Sequence, residues 1–488
     1  MARNKTSDAS YQHPDYVKYN QKWTPIIDCL EGEIAVKAKK QVYLPLENNE
    51  ANETEFNARY DAYLTRANFY NATARTLAGG VGQVFSKPPT VDIPEEVRYL
   101  LDDPCGTGVS LEQLAKQALG ATMSLGRFGL WVDYPKMEGP VTKAAQEAGM
   151  ARPVITPFAC RDIINWRTRK VGAKTKLSLV VLREKYRTSG EDAFEYTWEY
   201  CYRVLRLNAD GIYTVEHIVR NNSEGEIAPT RMDGTYFDEI PFVFIGISNN
   251  DCEVDEPPFY DMAMLSLAHY RNSADYEESV YMVGQPTAWA AGVSEKWAKD
   301  ILGGKLRLGS RGIVPLPVGG AFGLAQVTET TLARSAMDQK EAQMIALGAR
   351  LVRPSSNVAK TATEVNVDKV SEVSTLAASA RNTSAAIRKA FLYCGMYEGS
   401  DLSGIKFELS TDFEMARMTS QEILAVVTTW QSGLMPTEDA WDVLRRAGIV
   451  HTDYSTAKER GIVQDPVKQA EEAAKVKATQ TDNRAASV

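Results

Sequence analysis

The middle of one predicted helix most constrains what this chain can fold into. Within the helix predicted at Phe259–Met282, positions 269–278 read HYRNSADYEE and contain few large apolar side chains. A helix that is polar on nearly every side is not stabilised by burial in one small core. We therefore expect it to pack sideways against polar partners, and identical copies of the chain in a ring would supply them.

This helix belongs to a longer predicted unit that extends from Glu256 to Phe391. Its helices are Phe259–Met282, Glu329–Leu351, and a third that begins at a Thr361–Glu364 capping box and ends near Tyr393. A glycine- and proline-rich insert, Gly284–Gln326, separates the first two helices and predicts a short helix, Ser294–Ile301, between short strands such as Gly312–Leu316. The third helix has an apolar stripe backed by small residues, which predicts close neighbours on two sides.

The region before this unit combines helices with strands. Positions 1–50 predict an irregular arm with one short helix, and a helical pattern then continues from Glu53 to Pro88-Pro89. A capping box at Ser110 opens a helix over Leu111–Leu125. Between 152 and 247 the residues alternate with a period of two, as in a strand with the aromatic face Phe194, Tyr196, Trp198, Tyr200 and Tyr202. We expect a mostly antiparallel β region that packs against the earlier helices.

The C-terminal part predicts a strand at Ile405–Leu409 and two capped helices that begin at Thr419 and Thr437. The sequence from Gln464 onward lacks large apolar anchors, and we expect it to be mobile. Taken together, these patterns predict an α+β fold.

The distribution of charge is more informative than the net charge of -8. Positions 251–280 hold eight acidic residues and one basic residue, Arg271. A general DNA-binding surface would have the opposite sign, whereas an acidic wall suits a surface that nucleic acid passes without sticking. The alternative is a solvated acidic face of no special function.

Motifs for familiar chemistry are missing from the sequence. It contains no phosphate-binding Gly-x-x-x-x-Gly-Lys-Ser/Thr loop, no His-Glu-x-x-His pair and no Gly-x-Ser-x-Gly elbow. Its six cysteines have no metal-ligand spacing and predict reduced thiols in a cytosolic setting. No signal peptide or apolar run of about 18 residues is visible, so no membrane partner is expected. We expect no enzyme activity, no cofactor and no metal.

A basic loop between the second and third helices is the strongest functional candidate. Cations and hydroxyl or amide groups lie close together there, at Arg350, Arg353, Ser355, Ser356, Asn357 and Lys360. In a ring, such a loop would point toward the axis and contact a phosphate backbone without reading bases. The alternative is a plain connector between helices.

Several short segments carry a resemblance to a known family. They are Val42–Pro45, Tyr70–Thr76, Phe85–Pro89, Asp162–Trp166, Leu179–Arg183, Pro257–Asp261, His269–Asp275, Leu347–Leu351 and Thr361–Glu364. In these segments the chain resembles the portal proteins of tailed double-stranded-DNA phages, the head-to-tail connectors, over roughly residues 15–460. None of the segments is a catalytic motif, so they indicate kinship rather than mechanism.

The resemblance implies a portal-type fold with a helical and β wing, two long stem helices, a small α/β clip, a long helix after a tunnel loop, and a small helical crown. The implied boundaries are an N-terminal arm (1–50), wing (51–250), stem helix 1 (251–283), clip (284–327), stem helix 2 (328–352), tunnel loop (353–362), a helix back to the wing (363–403), a crown-like region (404–463) and a mobile tail (464–488).

The resemblance also implies the function of a ring, usually of roughly twelve subunits, that conducts DNA at one capsid vertex of a virion assembled in the host cytoplasm. Implied partners are double-stranded DNA bound without sequence specificity, the terminase large subunit, capsid and scaffolding proteins, and tail adaptors. The basic loop becomes the tunnel loop, Asp275, Glu277 and Glu278 become channel-lining candidates, and Trp289, Trp297, Arg307 and Arg311 become docking candidates on the clip.

Two other hypotheses stay open. A ring-forming tail adaptor or baseplate component would share these features but would not contact a packaging motor. A nuclease that uses magnesium bound by the acidic stretch is the enzymatic alternative. It is disfavoured because those acids fall on every side of the predicted helix.

Overall fold

The computed structural model describes residues 9–48, 52–134, 152–189, 194–220, 222–284, 287–302, 316–325, 331–352, 362–411, 420–432, 434–446, 450 and 454–459. The chain divides into two compact units, Met1–Thr411 and Asp412–Val488. No helix among these residues is long and apolar enough to cross a membrane.

Helices and strands alternate irregularly along the larger unit. Its helices are α1 Pro14–Glu31, α2 Glu33–Ala38, α3 Glu53–Arg66, α4 Ala72–Val84, α5 Tyr99–Asp102, α6 Leu111–Leu125, α7 Tyr260–Gly284, α8 Glu295–Leu302, α9 Leu332–Val352 and α10 Ala362–Glu398. Its strands are β1 Thr90–Asp92, β2 Arg127–Asp133, β3 Val154–Ala159, β4 Ile163–Val171, β5 Lys174–Ser189, β6 Tyr196–Leu207, β7 Tyr213–Val219, β8 Asn222–Ile227, β9 Phe242–Gly246, β10 Thr287–Ala291, β11 Ala321–Ala325 and β12 Lys406–Glu408. The predicted α+β composition agrees with this inventory.

The prediction of an irregular N-terminal arm was wrong. Residues 14–31 form the 18-residue helix α1, which begins with Pro14 at its first position. Tyr16, Tyr19 and Trp23 recur at helical spacing and are buried. The indole nitrogen of Trp23 donates to the carbonyl of Leu125 at 2.9 Å, which ties α1 to the end of α6. These aromatic side chains make the segment part of the core.

The helical pattern predicted from Glu53 to Pro88 is interrupted in the structure. The side chain of Asn71 accepts a hydrogen bond from the backbone nitrogen of Ala74 at 2.9 Å, so a new helix, α4, starts there. The capping box of α6 is confirmed, because Ser110 and Gln113 each accept a bond from the other's backbone nitrogen.

Two antiparallel sheets form the β region, as predicted. Strands β3, β2 and β9 form one sheet, and β4 to β8 form a five-stranded meander in chain order. Helices α6 and α10 pack on the three-stranded sheet. This packing makes the space between the sheet and these helices part of the core. Gly129 lies at a close approach within the β region, because a Cβ there would lie 2.4 Å from the Phe242 ring and 2.8 Å from the Ile163 side chain.

A buried guanidinium links the three-stranded sheet to the segment that leads into α7. Arg127 is 1% exposed, and its Cζ lies 4.1 Å from the ring centroids of both Trp166 and Phe244. Its Nη1 donates to the carbonyls of Cys252 at 3.0 Å and Glu253 at 3.2 Å. Burial lowers the pKa of Arg127 to about 10, so the side chain stays charged at neutral pH.

The three long helices of the predicted central unit are present. The apolar stripe of α10 is confirmed from Leu376 onward, where Ala380, Ile387 and Phe391 are buried. The short helix of the insert is α8, and the backbone nitrogen of Trp297 donates to the Ser294 hydroxyl at 3.2 Å.

The predicted strand at Gly312–Leu316 lies almost entirely outside the described residues, and the described partner of β10 is β11. The structure divides the chain after Thr411, whereas the sequence predicted a boundary at 404. Strand β12 pairs with β1, which joins residues 406–408 to the larger unit.

The smaller unit contains α11 Ser420–Gln431, α12 Thr437–Arg446 and α13 Tyr454–Glu459. The first two correspond to the two predicted capped helices. The Trp430 indole nitrogen donates to the Thr437 hydroxyl at 3.1 Å and joins the end of α11 to the start of α12. The tail predicted to be mobile, 464–488, lies outside the described residues.

Asp133, at the end of β2, makes the stability of the fold depend on pH. Desolvation raises the pKa of Asp133 to about 6, although Arg203 opposes the shift. The folded chain therefore binds this proton more tightly than the unfolded chain, and stability is lost as pH rises from about 4 to about 6. Asp133→Asn should increase the free energy of unfolding at pH 8 by on the order of 1–2 kcal/mol and change little at pH 4.

Urea titrations at the two pH values would measure this difference. Asp210→Asn, in the exposed turn between β6 and β7, is the matched control and should be neutral at both. An equal gain for Asp133→Asn at both pH values would show that the ionised carboxylate is not the cause.

Candidate channel and docking surfaces

The polar middle of α7 is buried inside its own chain. Tyr270 and Ala274 are fully buried, and the polar residues His269 and Ser273 are 3% and 2% exposed. Ser273 donates through its hydroxyl to the carbonyl of Asn68 at 2.7 Å. The expectation that this helix finds lateral partners only in other copies was therefore wrong, because α3, α4 and α9 of the same chain pack against it.

Helices α7 and α9 form a pair around a small apolar cluster. Met262 of α7 and Met344 of α9 pack together with Ala72 at the start of α4. The Ser266 hydroxyl lies 3.4 Å from the sulfur of Met344. One helical turn further along α7, Nε2 of His269 lies 3.2 Å from Glu341. His269 is thus a polar link between two helices of the same chain.

The acidic candidates on α7 lie against α3 and the segment that follows it. The Tyr63 hydroxyl donates to Asp275 at 2.6 Å, and burial together with this bond raises the pKa of Tyr63. Arg66 forms an ion pair with Glu278. The side-chain nitrogen of Asn68 donates to Glu277 at 3.4 Å. All three carboxylates therefore have partners inside the chain.

The acidic stretch is also partly neutralised at its start. Lys22 of α1 lies 2.5 Å from the Glu256 carboxylate, and the Tyr19 hydroxyl donates to the same group at 3.2 Å. Two acids of the stretch, Glu256 and Glu278, thus have cationic partners. The picture of a wall of unpaired acids does not hold for these two positions, because α1 and α3 supply bases that are distant in sequence.

The last turn of α7 and the start of α9 are exposed. Val280, Tyr281 and Met282 are 48%, 44% and 50% exposed, and Leu332 is 78% exposed. The guanidinium of Arg66 lies 4.3 Å from the Tyr281 ring centroid and covers part of it. Apolar surface of this kind at the ends of two paired helices is available for contacts outside the chain.

A small module lies between α7 and α9 in the sequence. Strands β10 and β11 pair antiparallel, with Trp289 opposite Gly323. A Cβ on Gly323 would meet the Trp289 indole at 2.8 Å, so the glycine makes room for the ring. Trp289 is still 46% exposed and Val318 is fully exposed, whereas Trp297 is only partly exposed. Trp289 is thus the more accessible of the two predicted docking tryptophans.

The predicted basic loop falls mainly outside the described residues. Arg350 belongs to the last turns of α9, and its side chain is not described. The other predicted loop residues that fall outside are Arg353, Ser355, Ser356, Asn357 and Lys360. The docking candidates Arg307 and Arg311 fall outside as well.

A cluster of potential ligands on the meander is an ion-pair network. Glu184, Cys201 and His217 lie on adjacent strands with ligand atoms within 4.8 Å of one another. Arg203 donates to both oxygens of Glu184 at 3.2 and 2.9 Å, and Nδ1 of His217 lies 2.8 Å from Glu224. Burial raises the pKa of the Cys201 thiol, which keeps it protonated. Nε2 of His217 is buried and has no hydrogen-bond partner among the described residues.

The aromatic face of β6 does not pack against helices along its whole length. Tyr196 and Trp198 are each 53% exposed, and Tyr200 is 49% exposed. Their alternation predicted a shared face but could not tell whether that face is covered. Exposed aromatic rings in a row are a candidate contact surface that the sequence pattern alone did not identify.

Comparisons with known proteins give a limited result. The model of a family described as a domain of unknown function (DUF4055) matches residues 258–398, which contain α7 to α10. No curated protein matches the chain.

Two solved structures match this chain with 13% and 12% sequence identity. The virion of a native gene transfer agent particle has a TM-score of 0.41 over 85% of this chain and 98% of that one. The neck of the native particle, computed with C12 symmetry, has a TM-score of 0.39 over 76% and 89%. At these values neither similarity identifies the function of this chain.

The contact between α7 and α9 is directly testable. Met344→Ala removes a buried side chain from the cluster with Met262 and Ala72, and should lower the free energy of unfolding by about 2–4 kcal/mol. Gln343→Ala, one position earlier on the exposed side of α9, should change it by less than about 0.5 kcal/mol. Denaturant titration of both variants measures the difference, and equal effects would contradict the pairing of these helices.

Proposed function

We propose that this chain is a portal subunit, a ring-forming component that conducts double-stranded DNA at a capsid vertex of a phage-like virion. The observation that carries the proposal is the architecture around α7 and α9. These two long helices pack side by side, expose apolar surface at neighbouring ends, and are separated in the chain by a small module. A stem with a clip at its end has this organisation, in agreement with the sequence resemblance.

The proposal assigns α7 and α9 to the stem, positions 284–327 to the clip, and the residues before 251 to the wing. The ring would use the sides of α7 and α9 that the chain leaves uncovered. Asp275 and Glu277 remain channel candidates, since their partners Tyr63 and Asn68 carry no positive charge. An acidic wall repels DNA phosphates over a Debye length of ~10 Å and would keep the duplex centred.

The proposed partners are those of the family: the terminase large subunit at the clip, capsid and scaffolding proteins around the wing, and tail adaptors after packaging. The exposed Trp289 supports a docking role for the clip, because aromatic side chains are enriched in interface cores. The neck structure in the comparison was computed with twelvefold symmetry, which agrees with a ring but does not carry the proposal.

The first test is the oligomeric state of the purified full chain. We expect closed rings with a central hole in negative-stain class averages, and a mass of roughly twelve subunits by native mass spectrometry. Monomers and dimers under all conditions of salt, pH and concentration would overturn the proposal. Rings that never co-purify with a terminase subunit would favour a tail adaptor instead.

The second test addresses the basic loop. Arg353→Glu combined with Lys360→Glu should leave the ring intact and reduce the DNA content of virions, because two phosphate contacts become repulsive. Lys170→Glu combined with Lys174→Glu, at exposed positions near the end of β4 and the start of β5, is the charge-matched control. Unchanged DNA content in the loop variant would remove its role in the channel.

A third test addresses the clip. Replacing positions 285–325 by a short glycine-serine linker should spare folding of the chain, since among the described residues β10 and β11 pair only with each other. We expect terminase binding to be abolished in a pull-down assay. Retained binding would place the docking surface elsewhere on the chain.

A further inference from the structure

Strands β5 and β6 extend beyond the rest of their sheet. Strand β7 pairs with β6 only from Cys201 to Leu207. Beyond Cys201, toward Tyr196, β6 pairs with β5 alone among the described residues. The far end of the meander is therefore a two-stranded ribbon, and we call the side that carries Tyr196, Trp198 and Tyr200 the ribbon face.

Cations from β5 share the ribbon face. Lys185 is directly opposite Tyr200, and Arg187 is directly opposite Trp198, and residues opposite each other in an antiparallel pair project to the same side. The Arg187 guanidinium lies 4.9 Å from the Tyr196 ring centroid and 5.0 Å from that of Trp198. Lys185 lies 5.9 Å from the Tyr200 ring. On the ribbon face, aromatic rings of β6 are thus in contact with positively charged side chains of β5.

Among the described residues, one cation on this side of β5 has an acidic partner and two do not: Arg183, 4.9 Å from the Tyr200 ring centroid, lies 3.6 Å from Asp162. Among the described residues, neither Lys185 nor Arg187 has a carboxylate in ion-pair contact. The opposite side of the ribbon differs, because Arg220 donates two bonds of 2.7 Å to Glu199 there. Hydrogen bonds from Arg220 hold the pKa of Glu199 at about 2. One side is therefore neutralised and the other is cationic.

The ribbon face continues a buried surface. Val181 and Val204 are paired on the same side further down the strands, and they are 3% and 4% exposed. The rings become exposed where the rest of the chain stops covering the sheet. Exposed tyrosine, tryptophan and arginine side chains in one patch are the composition of an interface core.

We propose that the ribbon face binds an acidic surface of a second copy of this chain. The chain carries 63 acidic and 55 basic residues, so its surface offers negative partners. Two ribbon faces cannot meet each other, because their cations would repel. The contact is therefore between different surfaces of neighbouring copies, which is the kind of contact that closes into a ring. This inference rests on the proposed function and assigns one subunit contact within it.

A nucleic acid fits the ribbon face less well. Base stacking needs free ring faces, and Arg187 and Lys185 already lie over these rings. An acidic protein surface requires only the cations and the ring edges.

The experiment compares charge-matched variants of the full chain. Lys185→Glu combined with Arg187→Glu should weaken self-association at least tenfold, as measured by sedimentation velocity over a concentration series. Lys170→Glu combined with Lys174→Glu changes the total charge equally and should assemble like the unmodified chain. Trp198→Ala should weaken association, and Thr197→Ala, on the other side of the same strand, should not. Circular dichroism melts confirm that each variant is folded.

Photo-crosslinking from position 198 identifies what touches the face. With Trp198 replaced by benzoylphenylalanine, we expect a crosslink to an acid-rich peptide of a second copy. Two results would overturn this inference and leave the proposed function standing. One is normal ring assembly of the Lys185→Glu, Arg187→Glu double variant and of Trp198→Ala. The other is a crosslink to DNA in place of the second copy. Assemblies that are weakened by the ribbon-face substitutions but have no central hole would overturn the proposed function and leave this contact standing.

Discussion

The buried guanidinium of Arg127 is the contact on which the arrangement of the larger unit depends. It is stacked between Trp166 and Phe244, so it connects the first strands of both sheets. Its hydrogen bonds hold the carbonyls of Cys252 and Glu253, in the segment that leads to α7. A charge this deeply buried is costly. Two carbonyls and two aromatic faces offset part of that cost, while Nε and Nη2 have no hydrogen-bond partner.

The path of α7 shows how one helix can serve both its own chain and an assembly. Its first turns carry apolar and small polar residues that pack against α4 and α9. Across these contacts the Ser266 hydroxyl lies 3.0 Å from that of Thr73, and Nε2 of His269 lies 3.2 Å from Glu341. Its last turn carries Val280, Tyr281 and Met282, which remain half exposed. The contacts within the chain therefore use only part of the helix, and its last turn is available for contacts outside the chain.

The two sides of the β5–β6 ribbon differ in how their charged side chains are paired, and this difference decides which side can bind a partner. On one side, Glu199 and Glu184 hold Arg220 and Arg203 in bidentate pairs, so that side is self-satisfied. On the other side, the cations are stacked on rings instead, and rings do not cancel charge. Alternation along a strand, with its period of two, is what lets adjacent residues face such different environments.

The sequence by itself determined the elements whose causes are local. Capping at Ser110, the period of α10 and the alternation of β6 were all predictable, because caps and periodicity act within a few residues. Only the tertiary structure decided which polar faces are buried. Arg66, Lys22 and Tyr63 lie far in sequence from the acids they contact, and no local pattern specifies such pairings. The same holds for α1, whose aromatic side chains form a helix core only because α6 and α7 cover them.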